Sequence, residues 1–355
     1  MTNDNNWIIQ LKNRTLGANH QKVGVIGAGS FGMAIASLLA ENSDVLIYAR
    51  NPATLKAINE EKRHKNAAVN PRIKAVDNME IVAKECKLIF PVVPSKNFRP
   101  MMKDFAPYLK PYHFLIHGTK GLDIDNLENI DTNTIHRISQ VITQESAVVR
   151  IGCLSGPNIA HEILEGQLTA TVIASRFKEV IDIGKKVLRS RRIQVYSSSD
   201  IRGAELAGAL KNIIAISAGI LAGLGLGRNL WGLLITRGLT EMIHFGKALG
   251  ADIKPFLGVA GIGDLVTTAS SQNSRNYTVG FLMAKGKTLS EIMEIMDEVA
   301  EGLRTVKVAK ELADIYQLKV PITRMVYGIL YENMKLEDAL EYFIGLDYEH
   351  DVDYL

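Results

Sequence analysis

The segment "KVGVIGAGSFGMAIASLLA" constrains this chain more than any other. Val23 to Ile26 is a short apolar run of strand type, and Gly27, Gly29 and Gly32 follow it as G-x-G-x-x-G. Met33 to Ala40 then reads as a helix, and "DVLIYAR" as a second strand. A tight strand–helix turn without a ligand can share this spacing, so the motif gains its force from the strand, turn, helix, strand order around it. In that order each glycine has a task. Gly27 allows the tight turn, Gly29 lets the backbone approach a pyrophosphate, and Gly32 lets helix pack on strand. Ser30 and Phe31 are placed to touch the cofactor, whose phosphates suit a helix N-terminus. The second strand ends "YARNP", with Arg50 where a ribose-binding acid is usual for NAD. Arg50 can pair a 2′-phosphate or stack on adenine, which favours NADPH over NADH. A solvated surface arginine is the alternative.

A chain that opens on this unit should continue it. Strand runs "KLIFPVVP", "HFLIHGT", "AVVRIGCLSGP", "TATVIAS" and "IQVYSSS" alternate with helical stretches. This predicts a doubly wound, mainly parallel sheet. From "DIRGAELAGALKN" onward the pattern is helical. The 355 residues therefore divide into an extension (1–21), a Rossmann-like dinucleotide-binding domain (22–198) and an all-helical substrate domain (199–355). The overall fold class is α/β. A net charge of +3 gives no argument for nucleic acid. The two cysteines, Cys86 and Cys153, are unclustered and fit a reducing, cytoplasmic setting. The eight histidines show no metal-ligand spacing, so no metal is expected. The uncharged run 212–227 is short for a membrane span, and Lys211 and Arg228 bound it closely, so we expect a buried soluble helix there rather than an integral membrane protein.

Lys211 is the second unusual feature. Its helical neighbours Ala207, Leu210, Ile214, Ala215 and Ala218 are small or apolar. Such a dry setting lowers a lysine's pKa and suits it to proton transfer near neutrality. Snorkelling to the helix edge is the bland alternative. Asp264, after the glycine-rich "GVAGIGD", can either pair with Lys211 or cap its own helix. Pro94 and Ser95 follow one buried strand, Lys120 the next, and Gly156 and Asn158 a third; strand ends at this edge of a doubly wound sheet line the ligand crevice. Asn158 could equally cap the helix after it. Ser274, Arg275 and Asn276 form a donor cluster suited to a phosphate, though "SRN" could also be an ordinary helix start.

Taken in order, "GAGSFG", "VPSKNFR", "TKGL", "SGPNIAHE", "GALKNIIAI", "TRGLTEM", "AGIGDLVTT", "SQNSRN" and "EGLRT" resemble the bacterial-type NAD(P)-dependent glycerol-3-phosphate dehydrogenases, from about Lys22 to about Glu332. The resemblance implies reversible hydride transfer between NAD(P)H and dihydroxyacetone phosphate, giving glycerol 3-phosphate for phospholipid synthesis. It implies Lys211 as proton donor and acceptor, Lys120 as a second active-site lysine near carbonyl and cofactor, and Asp264 as the acid that orients Lys211. It also implies substrate contacts from Gly156, Asn158, Thr268, Ser274, Arg275 and Asn276. Cofactor contacts would come from Pro94, Lys120, Ala160, Arg275, Val299 and Glu301, and the assembly would be a homodimer. The chain departs from the family pattern at Pro91, Val92, Trp231, Gly232, His244 and Ala269, none of them a matched catalytic position. Two other readings keep the glycine loop: a reductase for another 2-keto or 3-hydroxy acid, which would not need Arg275 and Asn276 to read a phosphate, and a non-catalytic sensor that binds NADPH and a protein partner, which would not need Lys211 or Asp264.

Overall fold

The computed structural model describes residues 22–65, 67–124, 131, 133–296, 300–346 and 351. The extension 1–21 and Val299 lie outside the described residues. Eight strands form one sheet: β1 (Lys22–Ile26), β2 (Asp44–Tyr48), β3 (Ile73–Val76), β4 (Leu88–Pro91), β5 (Phe114–His117), β6 (Arg150–Ser155), β7 (Thr169–Ala174) and β8 (Ile193–Ser198). Their order across the sheet is β8-β7-β6-β5-β4-β1-β2-β3. The six strands from β6 to β3 are parallel, and β7 and β8 run the other way. The expected mainly parallel sheet is therefore present, with a reversed pair at one edge.

Central strands here are apolar over most of their length because helices cover both faces. Val23, Val25, Leu88, Phe90, Leu115 and Ile116 are all buried. The helices that connect these strands are α1 (Ser30–Leu39), α2 (Pro52–Asn59), α3 (Met79–Glu85), α4 (Ser95–Phe105), α5 (Ile138–Glu145), α6 (Ala160–Leu164) and α7 (Lys178–Leu188). The chain order reverses between β1 and β4, which makes their carboxyl ends the natural crevice for a ligand. The glycine turn follows one of these strands and Pro94 the other.

Beyond β8, Asp200 caps α8 (Ile201–Gly223), its Oδ1 accepting from Gly203 N at 3.0 Å. This helix is long and apolar enough to cross a membrane, but 94% of its apolar window is buried inside the protein. It is the axis around which α9 (Arg228–Ala248), α10 (Lys254–Leu257), α11 (Asp264–Ser270), α12 (Arg275–Ala284), α13 (Leu289–Ile295), α14 (Glu301–Ile315), α15 (Pro321–Tyr331) and α16 (Leu336–Ile344) gather. Two glycines let α12 press backbone against backbone on α8: a Cβ on Gly219 would fall 2.0 Å from Tyr277 O, and one on Gly280 1.9 Å from Ile216 O. The hairpin of Leu122–Ile124 with Ile135–Arg137 carries Leu122 and Ile124 into the same helical core. That contact holds the segment just after β5, with Lys120, against α8.

Candidate active site

The glycine turn behaves as its spacing demands. Gly27 has φ +113°, and a Cβ there would lie 2.4 Å from Val92 O. A Cβ on Gly32 would fall 1.8 Å from Gly27 O, so helix and turn could not close. Gly29 is different: a Cβ there would meet nothing within 4 Å. The open space beside it at the start of α1 meets the requirement for close approach of a pyrophosphate. Ser30 and Phe31 are the first two residues of that helix. Lys65 Nζ donates to Ser30 Oγ at 3.0 Å, adding a cation at the same helix end. His64, beside it, hydrogen-bonds Ala28 O at 2.9 Å and buttresses the turn. The sequence reading did not find this pair, because they come from a short ribbon far along the chain. Arg50 is exposed just after β2.

The lysines form one cluster. Lys211 and Asp264 are in direct hydrogen-bonded contact, and Lys211 Nζ also donates to Thr268 Oγ1 at 2.6 Å. Lys120 Nζ reaches the other carboxylate oxygen of Asp264 at 2.7 Å and donates to Gly156 O at 2.8 Å. Asp264 is the first residue of α11, following Gly263 at the N-cap, and its side chain goes to the lysines rather than to a cap. Lys211 is 4% exposed, so it does not snorkel. Burial pushes its pKa down to about 7; Asp264 opposes that shift and Lys120 adds to it.

Around this core sit the remaining predicted residues. Ser274 caps α12, its Oγ accepting from Tyr277 N at 3.4 Å, and Arg275 is exposed as the first residue of the helix. Asn276 donates to Asn212 Oδ1 at 2.9 Å and accepts from Gly302 N at 2.9 Å. Asn212 in turn donates to Lys120 O at 3.3 Å. It ties Lys120, Lys211 and Asn276 together, and the sequence reading passed over it although it follows Lys211 directly. Glu301 links the two halves of the molecule: its carboxylate accepts from Ser95 N at 2.8 Å and Ser95 Oγ at 2.5 Å, at the start of the helix that follows Pro94. Burial raises the pKa of Glu301 against those bonds. Asn158 does not cap α6, whose N-cap is Ile159. Its side chain donates to Ala170 O at 2.9 Å and accepts from Thr171 Oγ1 at 3.0 Å, fastening the turn after β6 to β7. Ala160 begins α6 and packs against the core beneath the sheet.

A glycine turn of this form in a parallel sheet, together with a buried lysine whose pKa lies near neutrality, marks the chain as a nicotinamide-dependent oxidoreductase. Its sequence places it further. Residues 22–181 match the family of the NAD-dependent glycerol-3-phosphate dehydrogenase N-terminus, and residues 200–341 that of the NAD-dependent glycerol-3-phosphate dehydrogenase C-terminus. The chain belongs to this dehydrogenase family. It is 38% identical over 340 residues to a glycerol-3-phosphate dehydrogenase (NAD(P)+) of Pseudomonas aeruginosa strain LESB58, covering 94% of this chain and 97% of the relative. It is 39% identical, with the same coverage, to that of Pseudomonas savastanoi pv. phaseolicola. Among solved structures, glycerol-3-phosphate dehydrogenase from Coxiella burnetii superposes with a TM-score of 0.82 at 28% identity, covering 92% of this chain and 98% of that one.

Proposed function

We propose that this chain reduces dihydroxyacetone phosphate to glycerol 3-phosphate with NADPH or NADH, and catalyses the reverse reaction. One observation carries the chemistry: a buried and a half-buried ammonium group, Lys211 and Lys120, share the single carboxylate of Asp264. When bound along the glycine loop, the nicotinamide cofactor supplies or accepts the hydride. Lys211 then gives its proton to the oxygen on C2 as negative charge develops there, and takes it back in oxidation. A pKa near 7 suits both directions. Lys120 holds the carbonyl side of the substrate and keeps the local charge positive. Asp264 fixes both ammonium groups by accepting from each of them. Thr268 holds the third side of Lys211, and Gly156 anchors Lys120.

The substrate phosphate is read at the start of α12. Arg275 supplies the cation, Ser274 and the first turn's amides supply donors, and Asn276 keeps this end registered to Asn212 beside Lys211. Arg50 at the adenosine end favours NADPH. Residues 22–198 form the cofactor unit and 199–355 the substrate unit, a division supported by the end of β8 at Ser198 and the start of α8 at Ile201. The enzyme works as a cytoplasmic homodimer supplying phospholipid synthesis, a state that light scattering on the purified chain would test.

The reaction is tested by following nicotinamide absorbance with dihydroxyacetone phosphate, NADPH and NADH in parallel. Rapid oxidation is expected, faster at low concentrations of NADPH than of NADH. Folded protein that binds cofactor yet oxidises neither would refute the assignment.

A further inference from the structure

A cavity of about 470 Å³ opens at the foot of α8, on the sheet edge away from the lysines. Its walls include Arg137, Gln140, Thr143, Arg176, Phe177 and Ile201. Ile201 is the first residue of α8, so the cavity lies roughly 15 Å down that helix from Lys211, at 1.5 Å per residue. Two features single it out. First, its chemistry is two-sided. Arg176 is exposed and makes no ion pair among the described residues, while Val149 and Phe177 leave apolar surface 58% and 36% exposed on the same wall. The nearby carboxylates are already engaged, Asp123 and Glu145 by Arg99 and Glu179 by Arg150. Its size falls in the range of small-molecule pockets.

Second, the cavity is wired to the reaction centre. Arg137 Nη1 donates to Glu205 Oε2 at 2.7 Å, and Glu205 lies one turn above Ile201 on α8. The other oxygen of Glu205 meets His117 Nε2 at 3.0 Å, three residues before Lys120. Ser139, also in the cavity wall, donates to Glu205 through both its N and its Oγ at 2.7 Å. Both catalytic lysines therefore rest on elements that this carboxylate holds.

We propose that this cavity binds a small organic anion bearing a short apolar chain, and that its occupancy lowers turnover. The anion pairs with Arg176 and draws on Arg137, while its chain covers Val149 and Phe177. Arg137 then holds Glu205 less firmly, and the foot of α8 loosens beneath Lys211. By linkage, the active conformation binds the anion more weakly than the loosened one. The turnover half rests on the dehydrogenase reading; the binding half does not.

The test is calorimetric titration of octanoate into the full chain saturated with NADP+, which closes the dinucleotide site to the probe. One binding site is expected, with affinity about tenfold lower in Arg176→Glu and in Val149→Glu. Octanol, which lacks the charge, should bind about tenfold more weakly than octanoate. At saturating dihydroxyacetone phosphate, octanoate should lower kcat of the wild type and leave that of Arg176→Glu little changed. Both substitutions fall on exposed side chains, and circular dichroism checks that the fold is kept. No saturable binding, or equal affinity in all three proteins, overturns the site. Full occupancy with an unchanged kcat overturns the coupling. Should the chain prove inactive on this substrate, the calorimetry still decides the site.

Discussion

Helix α8 carries two buried charged clusters six residues apart, and they are built on opposite principles. At Glu205 one carboxylate meets Arg137, His117 and two donors from Ser139. Burial alone would raise its pKa, yet these partners outweigh it and hold it below the usual value. At Lys211 two ammonium groups share one carboxylate, and burial drives Lys211 down toward neutrality. The first cluster surrounds its carboxylate with four donors, which brace the helix. The second keeps a surplus positive charge in a dry setting, which a small phosphorylated substrate can neutralise. Burial of charge is common to both; we read the unmatched cation as the mark of a reaction centre and the fully partnered carboxylate as that of a brace.

Substitutions should separate the two. Lys211→Ala should cut kcat for dihydroxyacetone phosphate reduction by roughly 100-fold to 10,000-fold while cofactor affinity, measured by fluorescence titration, stays within a few-fold. Glu205→Ala should be felt first in stability. It strands Arg137 in a part-buried site and should cost about 3–5 kcal/mol of stability in urea unfolding. If that variant unfolds at the wild-type midpoint, the brace reading fails. Arg275→Ala should raise KM for the phosphate ester by roughly 10- to 100-fold, the loss of a charged hydrogen bond of about 1.5–3 kcal/mol, with a smaller change in kcat. Arg50→Ala should have the mildest effect, narrowing any preference for NADPH over NADH by up to about fivefold, as expected for an exposed ion pair. Paired kcat/KM values for the two cofactors would show it.

The same contrast explains what could be read from the sequence. The sheet was legible because period and punctuation are local: apolar runs such as Val23–Ile26, then glycines at fixed offsets. The reversed direction of β7 and β8 was not, since "TATVIAS" and "IQVYSSS" carry no signal of strand direction. Lys211 stood out because its neighbours are apolar, and the resemblance to a known family supplied the partners. Two alternatives that the residues left open were resolved by geometry: Asp264 turns to the lysines, and Asn158 to β7. Asn212, His64 and the Glu205 cluster were missed for a shared reason. Each acts through contacts far along the chain, from His64 to Ala28 or from Glu205 to His117, and no local pattern announces them.

The claim that a buried, surplus-charged Lys211 is the acid is tested most directly by kcat/KM for dihydroxyacetone phosphate reduction between about pH 6 and 9.5, which reports groups of the free enzyme and substrate. A phosphate monoester loses its second proton near pH 6, so the limb above pH 7 belongs to the enzyme. Lys211, depressed to about 7, must be protonated to act in this direction. The value should hold steady to about pH 7 and then fall about tenfold per pH unit, and this limb should vanish in Lys211→Ala. A profile flat through about pH 9, or a falling limb that survives the substitution, would contradict the account.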